Sequence, residues 1–539
     1  MDSSNLGSSY LQNPVADRWD AIVIGSGIGG LAAAALLAMH GGKRVLVLER
    51  NSVAGGFTHC FPKAGYEWNV GVHYVGQVQD RSSLVGATIE HVTDGRLQWN
   101  SLPQVYDRIR IADREYDFVA GRERFRDRMK SYFPHDAGAI DRYLDAVQSC
   151  FEKSTAYFKE RALPRPLAWL AGPLMRGPFL RWAARTTADV LAEITTNREL
   201  AAVLTGQWGD YGLPPGESSF GVHSMLVSHY IEGASFPVGG PSRFAAAIMP
   251  AIESAGGRIA VSAHVREILL DRAQRAVGVR MQDGREIRAE VVISGAGARN
   301  TYESLLPPTA PGVAPILAEM RAVPPSIAHL CLYAGVKQPA AESGVSGTNL
   351  WVYPSPDHDA NLARFKSDPS APFPLLFMSS PSANDPDFER RYPGRTTLEV
   401  ICLVPYDWFV RWENVPRDQR GRDYEDFVQG LQERLRRSLE EHVPAVRGKL
   451  EIAELLTPLS TRQFMNCPYG ESYGSSATPA RFRLHCFAPR TPVRNLYLTG
   501  QDACLIGVAG AVMGGVLTAS LVLGRNLVSV VSKPHPRAS

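Results

Sequence analysis

"DAIVIGSGIGGLAAAALLAMHGGKRVLVLER" spans residues 20–50. Ala21 to Met39 carries no charged side chain, and at that length a membrane-spanning helix becomes credible. The glycines argue otherwise. Gly25, Ser26, Gly27, Ile28, Gly29 and Gly30 form G-x-G-x-x-G behind the short apolar run Ala21 to Ile24, a pattern of buried parallel strand followed by a turn. The first glycine of such a loop permits the tight turn, the second lets a pyrophosphate approach the backbone, and the third allows helix to pack closely on strand. The alanine-rich Leu31 to Met39 then reads as a helix whose N-terminal amides face the phosphates. Gly41-Gly42 ends it, Lys43 to Leu48 reads as a second strand, and Glu49 stands where a carboxylate accepts hydrogen bonds from a ribose. Strand, loop, helix, strand and acid together predict a dinucleotide site, against the bland alternative of a glycine-rich helix pair without a ligand.

The rest of the chain bounds that reading. At 539 residues it is long enough for about three to four domain-sized units. Hydrophobic content of 45% and charged content of 21% are those of a globular protein. Lysine plus arginine (57) nearly balances aspartate plus glutamate (54), which gives nucleic acid no electrostatic handle. The seven cysteines show no CxxC spacing, so neither a metal site nor a disulfide framework is expected, and a reducing, cytoplasmic setting fits. Residues 1–17 read as a disordered leader and 529–539 as a tail.

"ERNSVAGGFT" (49–58) places a second glycine turn after Glu49. It resembles the diphosphate-contacting motif of two-dinucleotide-binding-domain flavoproteins, and the resemblance implies FAD, with Arg50, Gly55, Gly56, Phe57 and Thr58 beside it. In such proteins the chain returns near its C-terminus as strand, Gly-Asp-like turn and helix. Here Leu496 to Leu498, Gly500-Gln501-Asp502 and the uncharged run Leu505 to Leu523 fit that order. The resemblance implies that Asp502 bonds the ribityl chain, while Val508 and Ala509 open a helix facing the flavin pyrimidine. The competing reading of Leu505 to Leu523 is a membrane span with a Gly510/Gly514 GxxxG pair. Residues 258–300 read as alternating strands with a hairpin turn at Asp283-Gly284. By the same resemblance Val265 meets the adenine, and Gly295 lies in the loop after a buried strand. The expected fold class is α/β. A Rossmann-like FAD domain of the glutathione-reductase-2 type comes from residues 18–80, 236–300 and 491–528, and a mixed α+β substrate domain from 81–235 and 301–490.

Three further stretches are more specific. "GYEWNVGVHYVG" (65–76), "WGDYGLPPGESSFGVHSMLVSHYIEGASFPVGGPSRF" (208–244) and "NLYLTGQDACLIGVAGAVMGG" (495–515) resemble the retinol saturases, relatives of carotenoid isomerases and phytoene desaturases. The resemblance covers about residues 18–528. It implies FAD, a lipid-like polyene or unsaturated lipid as substrate, and reduction at a carbon–carbon double bond, with isomerisation or desaturation as the alternative. No Cys or His sits in a recognised flavin-linkage setting, so the FAD is expected to be non-covalent. A flavin-fold escort without redox chemistry and an amine oxidase are the rivals from other classes.

Saturating a double bond needs a hydride on one carbon and a proton on the other. The candidate proton donors are His73 and Tyr74, in the turn after the second glycine motif, and Tyr230; His59, His223 and His229 are weaker candidates. "NCPYGESYG" (466–474) is a candidate wall for an apolar tunnel. Residues 161–187 alternate arginines with Trp169, Leu170, Met175, Phe179, Leu180 and Trp182, a composition suited to peripheral membrane docking. "GAGARN" (295–300) lacks a third glycine, so no dedicated NAD(P)H site is visible. Reductant is expected from transient NAD(P)H or an electron-donor partner.

Overall fold

The computed structural model describes residues 6–163 and 165–533. The opening stretch folds as strand Arg18–Ile24, helix Ile28–Gly41 and strand Val45–Leu48. Gly42 adopts a left-handed conformation (φ 58°) and caps the helix by donating to the carbonyls of Ala38 and Leu37, the stop that the glycine pair predicts. These strands lie inside an eight-stranded sheet in the order Ser8–Ser9, Arg258–Val261, Val45–Leu48, Arg18–Ile24, Glu286–Ser294, Ala276–Met281 and Val265–Leu270. Leu496–Leu498 pairs in parallel with the end of Glu286–Ser294. Parallel pairing joins strands far apart in sequence, so one sheet gathers all three segments of the nucleotide domain.

The second uncharged run also folds inside this domain. Helix Gly507–Leu523 packs along helix Ile28–Gly41. A Cβ on Gly29 would lie 2.5 Å from the Gly500 Cα, and one on Gly515 would lie 2.7 Å from the Gly29 carbonyl oxygen. The glycines are there because two backbones nearly touch, as in a GxxxG contact, but the contact is buried in protein. Among the described residues no helix is long and apolar enough to cross a membrane.

A second, seven-stranded sheet runs Leu450–Leu456, Ala328–Val336, Thr396–Val404, Leu376–Ser379, Asn349–Tyr353, Val105–Ile111 and Arg114–Val119. All its pairings are antiparallel except Asn349–Tyr353 on Val105–Ile111. Helices Ala137–Arg161, Arg165–Ala183 and Phe220–Tyr230 pack on one another beside it. Two apolar cores meet this division, one under the nucleotide sheet and one between the second sheet and helix Arg422–His442. A third and larger core runs between the halves.

Three expected boundaries shift. The disordered leader is in fact ordered from residue 6: Leu6, Tyr10 and Val15 are buried, and Ser8–Ser9 adds a strand to Arg258–Val261. Residues 1–5 lie outside the described residues. Helix Leu84–Thr93, placed by sequence in the substrate half, packs on Gly507–Leu523 and on Arg243–Glu253 of the nucleotide domain. The short helix Val528–Val531 buries Val531 against the same helices, so the tail begins later than residue 529. In each case a few apolar side chains find a groove that only the folded domain creates.

Candidate active site

The two halves enclose a cavity of about 1000 Å³. Gly25, Gly27, Ile28, Gly29, Gly30, Glu49, Arg50, Gly56, Phe57, Thr58, Val265, Gly295, Asp502, Val508 and Ala509 all line it, as do His73, Tyr74 and Tyr230. Two predicted residues sit behind the wall. The Ser26 hydroxyl donates to Glu49 at 2.6 Å and accepts from the Gly55 amide at 3.0 Å. Both therefore fasten the first glycine loop to the second rather than facing the cavity.

The nucleotide end is a cradle with space left in it. Gly25 takes φ 91° with the Gly295 backbone 3.3 Å from where a Cβ would stand, so only glycine fits the turn. A Cβ on Gly30 would meet the Gly25 oxygen at 2.4 Å, whereas one on Gly27 would meet nothing within 4 Å. The second glycine thus borders open space at the start of a helix that has no side-chain cap. Helix Gly507–Leu523 is likewise uncapped, and its first residues line the cavity. Uncapped helix N-termini present unpaired amides and partial positive charge. Glu49 holds this arrangement by accepting from the Ser26 amide (2.9 Å) and the Asn51 amide (2.8 Å). Asp502 accepts from the amides of Ala298 (2.8 Å) and Ser475 (3.1 Å), so it also ties three loops together. Behind it the buried guanidinium of Arg481, which no sequence motif marks, donates to the carbonyls of Ser475 and Gln501. The residues present fit FAD: one helix start and glycine loop for the diphosphate, a second helix start for the ring.

The far end is walled by Phe151, Phe158, Met225, Leu226, Trp351 and Phe377. Helix Phe220–Tyr230 explains part of this, since Val222, Met225, Leu226 and His229 recur at helical spacing on the cavity face. His223 points away from that face and is bonded on both ring nitrogens, to Tyr143 (2.8 Å) and Tyr211 (3.2 Å), which makes it structural. His229 accepts from the Gly76 amide at 2.9 Å. A Cβ on Gly76 would lie 1.8 Å from the His229 carbonyl oxygen, which accounts for the last glycine of GVHYVG. His59 bonds the Gly56 carbonyl at 2.6 Å. Asn466, Cys467, Glu471, Ser472, Tyr473 and Gly474 place the NCPYGESYG stretch on the wall.

His73 lines the cavity but in an unexpected state. Its Nδ1 lies 2.9 Å from the Ser379 hydroxyl and 3.5 Å from Glu399, and its ring sits edge-on to Phe377. Burial pushes its pKa down to about 3, while burial pushes Glu399 up to about 8. At neutral pH the pair is a neutral imidazole beside a carboxylic acid, so His73 is no imidazolium donor.

Tyr74 leads instead to a carboxyl group that the sequence reading missed. Its hydroxyl is 2.7 Å from Asp210 and 3.2 Å from Asp107. Asp107 also accepts from Gln207 (2.6 Å) and Asn349 (2.9 Å), whereas the Asp210 carboxyl, among the described residues, bonds Tyr74 alone and lines the cavity. Burial raises Asp107 to about 6 and Asp210 to about 8. The proton of the pair therefore rests on Asp210 at neutral pH. The Tyr230 ring stacks on Tyr74 at 4.4 Å and fixes its plane. An aspartate inside the aromatic run Trp208 to Tyr211 was the available signal, because a lone acid among buried aromatics is rarely there for solubility.

Comparison with known proteins agrees with this geometry. Residues 23–84 match the family described as NAD(P)-binding Rossmann-like domain, and residues 211–523 match the family described as flavin containing amine oxidoreductase. An all-trans-retinol 13,14-reductase of Danio rerio is 36% identical over 542 residues, spanning 97% of this chain and 89% of that protein. A chloroplastic prolycopene isomerase of Arabidopsis thaliana is 27% identical, spanning 96% and 86%. The crystal structure of an oxidoreductase from Methanosarcina mazei has the same fold, with a TM-score of 0.59 and 17% identity over 94% of this chain and 100% of that one. Identity of this extent, laid over a flavin-shaped cradle joined to an apolar chamber, makes the chain an FAD-dependent oxidoreductase belonging to the all-trans-retinol 13,14-reductase family.

Proposed function

We propose that the protein reduces a carbon–carbon double bond of a long apolar polyene or unsaturated lipid. The observation that carries this reading is a cavity in which the flavin loops meet an apolar wall and a buried acid, Asp210, whose proton burial retains. Bound FAD, once reduced, supplies the hydride. The aromatic and aliphatic wall binds the chain of the substrate and excludes water. Asp210 holds a proton at its carboxyl oxygen, Tyr74 positions that oxygen and shares its proton, and Tyr230 keeps the Tyr74 ring in plane. His73, neutral, positions the adjoining wall through Ser379 and Phe377. The reductase relatives support reduction as the main reading. The prolycopene isomerase relatives support isomerisation as the second, which needs the same chamber but no net electrons. Electrons come from outside the chain, by transient NAD(P)H or a redox partner.

A chain with so apolar a substrate gains from drawing it directly out of a bilayer. The exposed Leu167, Trp169, Leu170 and Leu174 on helix Arg165–Ala183 are the surface for peripheral membrane contact. Phe179 and Trp182 do not share that role. Phe179 is fully buried against Tyr157 and Phe482, and Trp182 packs on Phe220.

Turnover of chemically reduced enzyme with a candidate polyene in deuterated water tests the chemistry. Reduction leaves a product with two added hydrogens, both drawn as deuterium from the solvent, and oxidised flavin. Product at substrate mass with the flavin still reduced would replace the first reading by the second.

A further inference from the structure

Behind the exposed apolar residues of helix Arg165–Ala183 lies a second, smaller cleft of about 290 Å³. Its lining includes Arg161, Arg176, Arg483, His485 and Arg490, with Glu160 as its one acid. Glu160 is buried and faces Arg176 at 4.0 Å, which leaves the cleft with an excess of positive charge. Among the described residues Arg161, Arg483 and Arg490 make no ion pair. Arg161 is spent on the Phe487 and Leu484 carbonyls and the Tyr157 hydroxyl. Arg483 and Arg490 each make a single long bond of 3.4 Å to a backbone carbonyl, of Ala184 and Leu163. Their remaining N–H donors are available, and a guanidinium fork suits phosphate oxygens.

The same helix serves both features. Ala168, Arg176 and Leu180 form a wall of the cleft. Leu167, Leu170 and Leu174, spaced three and four residues apart, present an outward stripe 53%, 66% and 81% exposed, with Trp169 beside it at 79%. Helix Ala137–Arg161 connects this place to the active site, because Phe158 and Lys159 line the large cavity while Glu160 and Arg161 line the cleft. An apolar stripe next to unpaired arginines is the pattern of a surface that meets an anionic bilayer.

We propose that this arginine cleft takes the phosphate headgroup of an anionic phospholipid, whose acyl chains lie along Leu167, Leu170 and Leu174. The proposal rests on the membrane-contact reading above and adds to it a headgroup site and a charge preference. Seated there, the lipid orients the start of helix Arg165–Ala183 and the end of helix Ala137–Arg161 against the bilayer.

Co-sedimentation of the flavin-loaded full chain with vesicles tests it, comparing phosphatidylcholine alone with equal parts phosphatidylcholine and phosphatidylglycerol. The double variant R483Q/R490Q should lose roughly 10- to 30-fold in binding to the anionic vesicles, on the scale expected for two arginines at a charged surface, and should bind neutral vesicles as before. W169S/L174S should lose binding to both. R272Q/R321Q removes the same charge from exposed positions elsewhere and should change little. The flavin absorbance of each variant reports that it has folded. Anionic binding that survives in R483Q/R490Q, or that falls equally in R272Q/R321Q, overturns the headgroup site while membrane contact stands. If the parent protein binds neither vesicle, the membrane-contact reading itself falls.

Discussion

The two ends of the cavity solve opposite problems. At the nucleotide end the polar work is done by backbone: glycine loops, uncapped helix starts, and two acids, Glu49 and Asp502, that are held by amides. At the chamber end it is done by ionisable side chains that burial has discharged. His73, His229 and His329 are driven down to between about 3 and about 4, and Asp210 and Glu399 up to about 8. Desolvation penalises the charged form of either kind of group. The consequence is a site where one end is built for a diphosphate and the other penalises charge, with Asp107 raised only to about 6 where Gln207 and Asn349 donate to it. An apolar substrate and a carboxyl kept protonated belong together in such a chamber, for the same low-dielectric reason.

The comparison breaks hardest at Gly27. Gly27→Val fills the open space beside the helix start, so purified protein should carry no flavin absorbance; a fully loaded variant would remove the cradle from the account. In the intact protein the flavin should leave with the supernatant on acid precipitation, and colour remaining on the pellet would mean a covalent link.

At the other end Asp210→Asn keeps the shape and removes the proton. Turnover should fall by roughly 10²–10⁴-fold, the range of a positioned general acid, with flavin content unchanged. The pH dependence follows from the raised pKa: the acid form dominates below about 8 and is lost as pH rises through it. Parent turnover should therefore decline above about pH 8, and Asp210→Asn should lack that limb. A variant that retains both rate and limb would return Asp210 to a structural role.

Helix Arg165–Ala183 separates two kinds of aromatic. Phe179→Ala should cost about 3–5 kcal/mol in a denaturant titration, as for other buried phenylalanines, while Trp169→Ser should stay within about 0.5 kcal/mol. Equal costs would mean that Trp169 is packed in solution. His73→Gln should slow turnover by less than about tenfold, short of the general-acid range, because its ring is neutral throughout the working pH. A larger loss would restore it as a proton carrier.

The nucleotide domain was legible because its signals are local. A glycine at a left-handed φ, a strand of four buried residues or a helix stop is dictated within a few positions, and the loops at 25–30 and 55–58 follow from such rules. The seeming membrane spans were legible for the same reason once each glycine had a task. The acid pair was not. Asp107 stands in strand Val105–Ile111 and Asp210 in a short turn, 103 residues apart in sequence. Only the folded chamber brings both to the Tyr74 hydroxyl; the aromatic run around Asp210 hints at its burial, but nothing local says which of the two keeps the proton.

Sequence alone thus determined the dinucleotide fold and the family stretches around His73 and Tyr230. It left open which titratable group carries a proton, which aromatics of residues 161–187 face outward, and where residues 6–15 and 528–531 pack. Those depend on burial, and burial is a property of the assembled surfaces. A histidine reads the same in sequence whether its ring is solvated or dry, but burial lowers the pKa of His73 and raises that of Asp210 because charging either without water is costly.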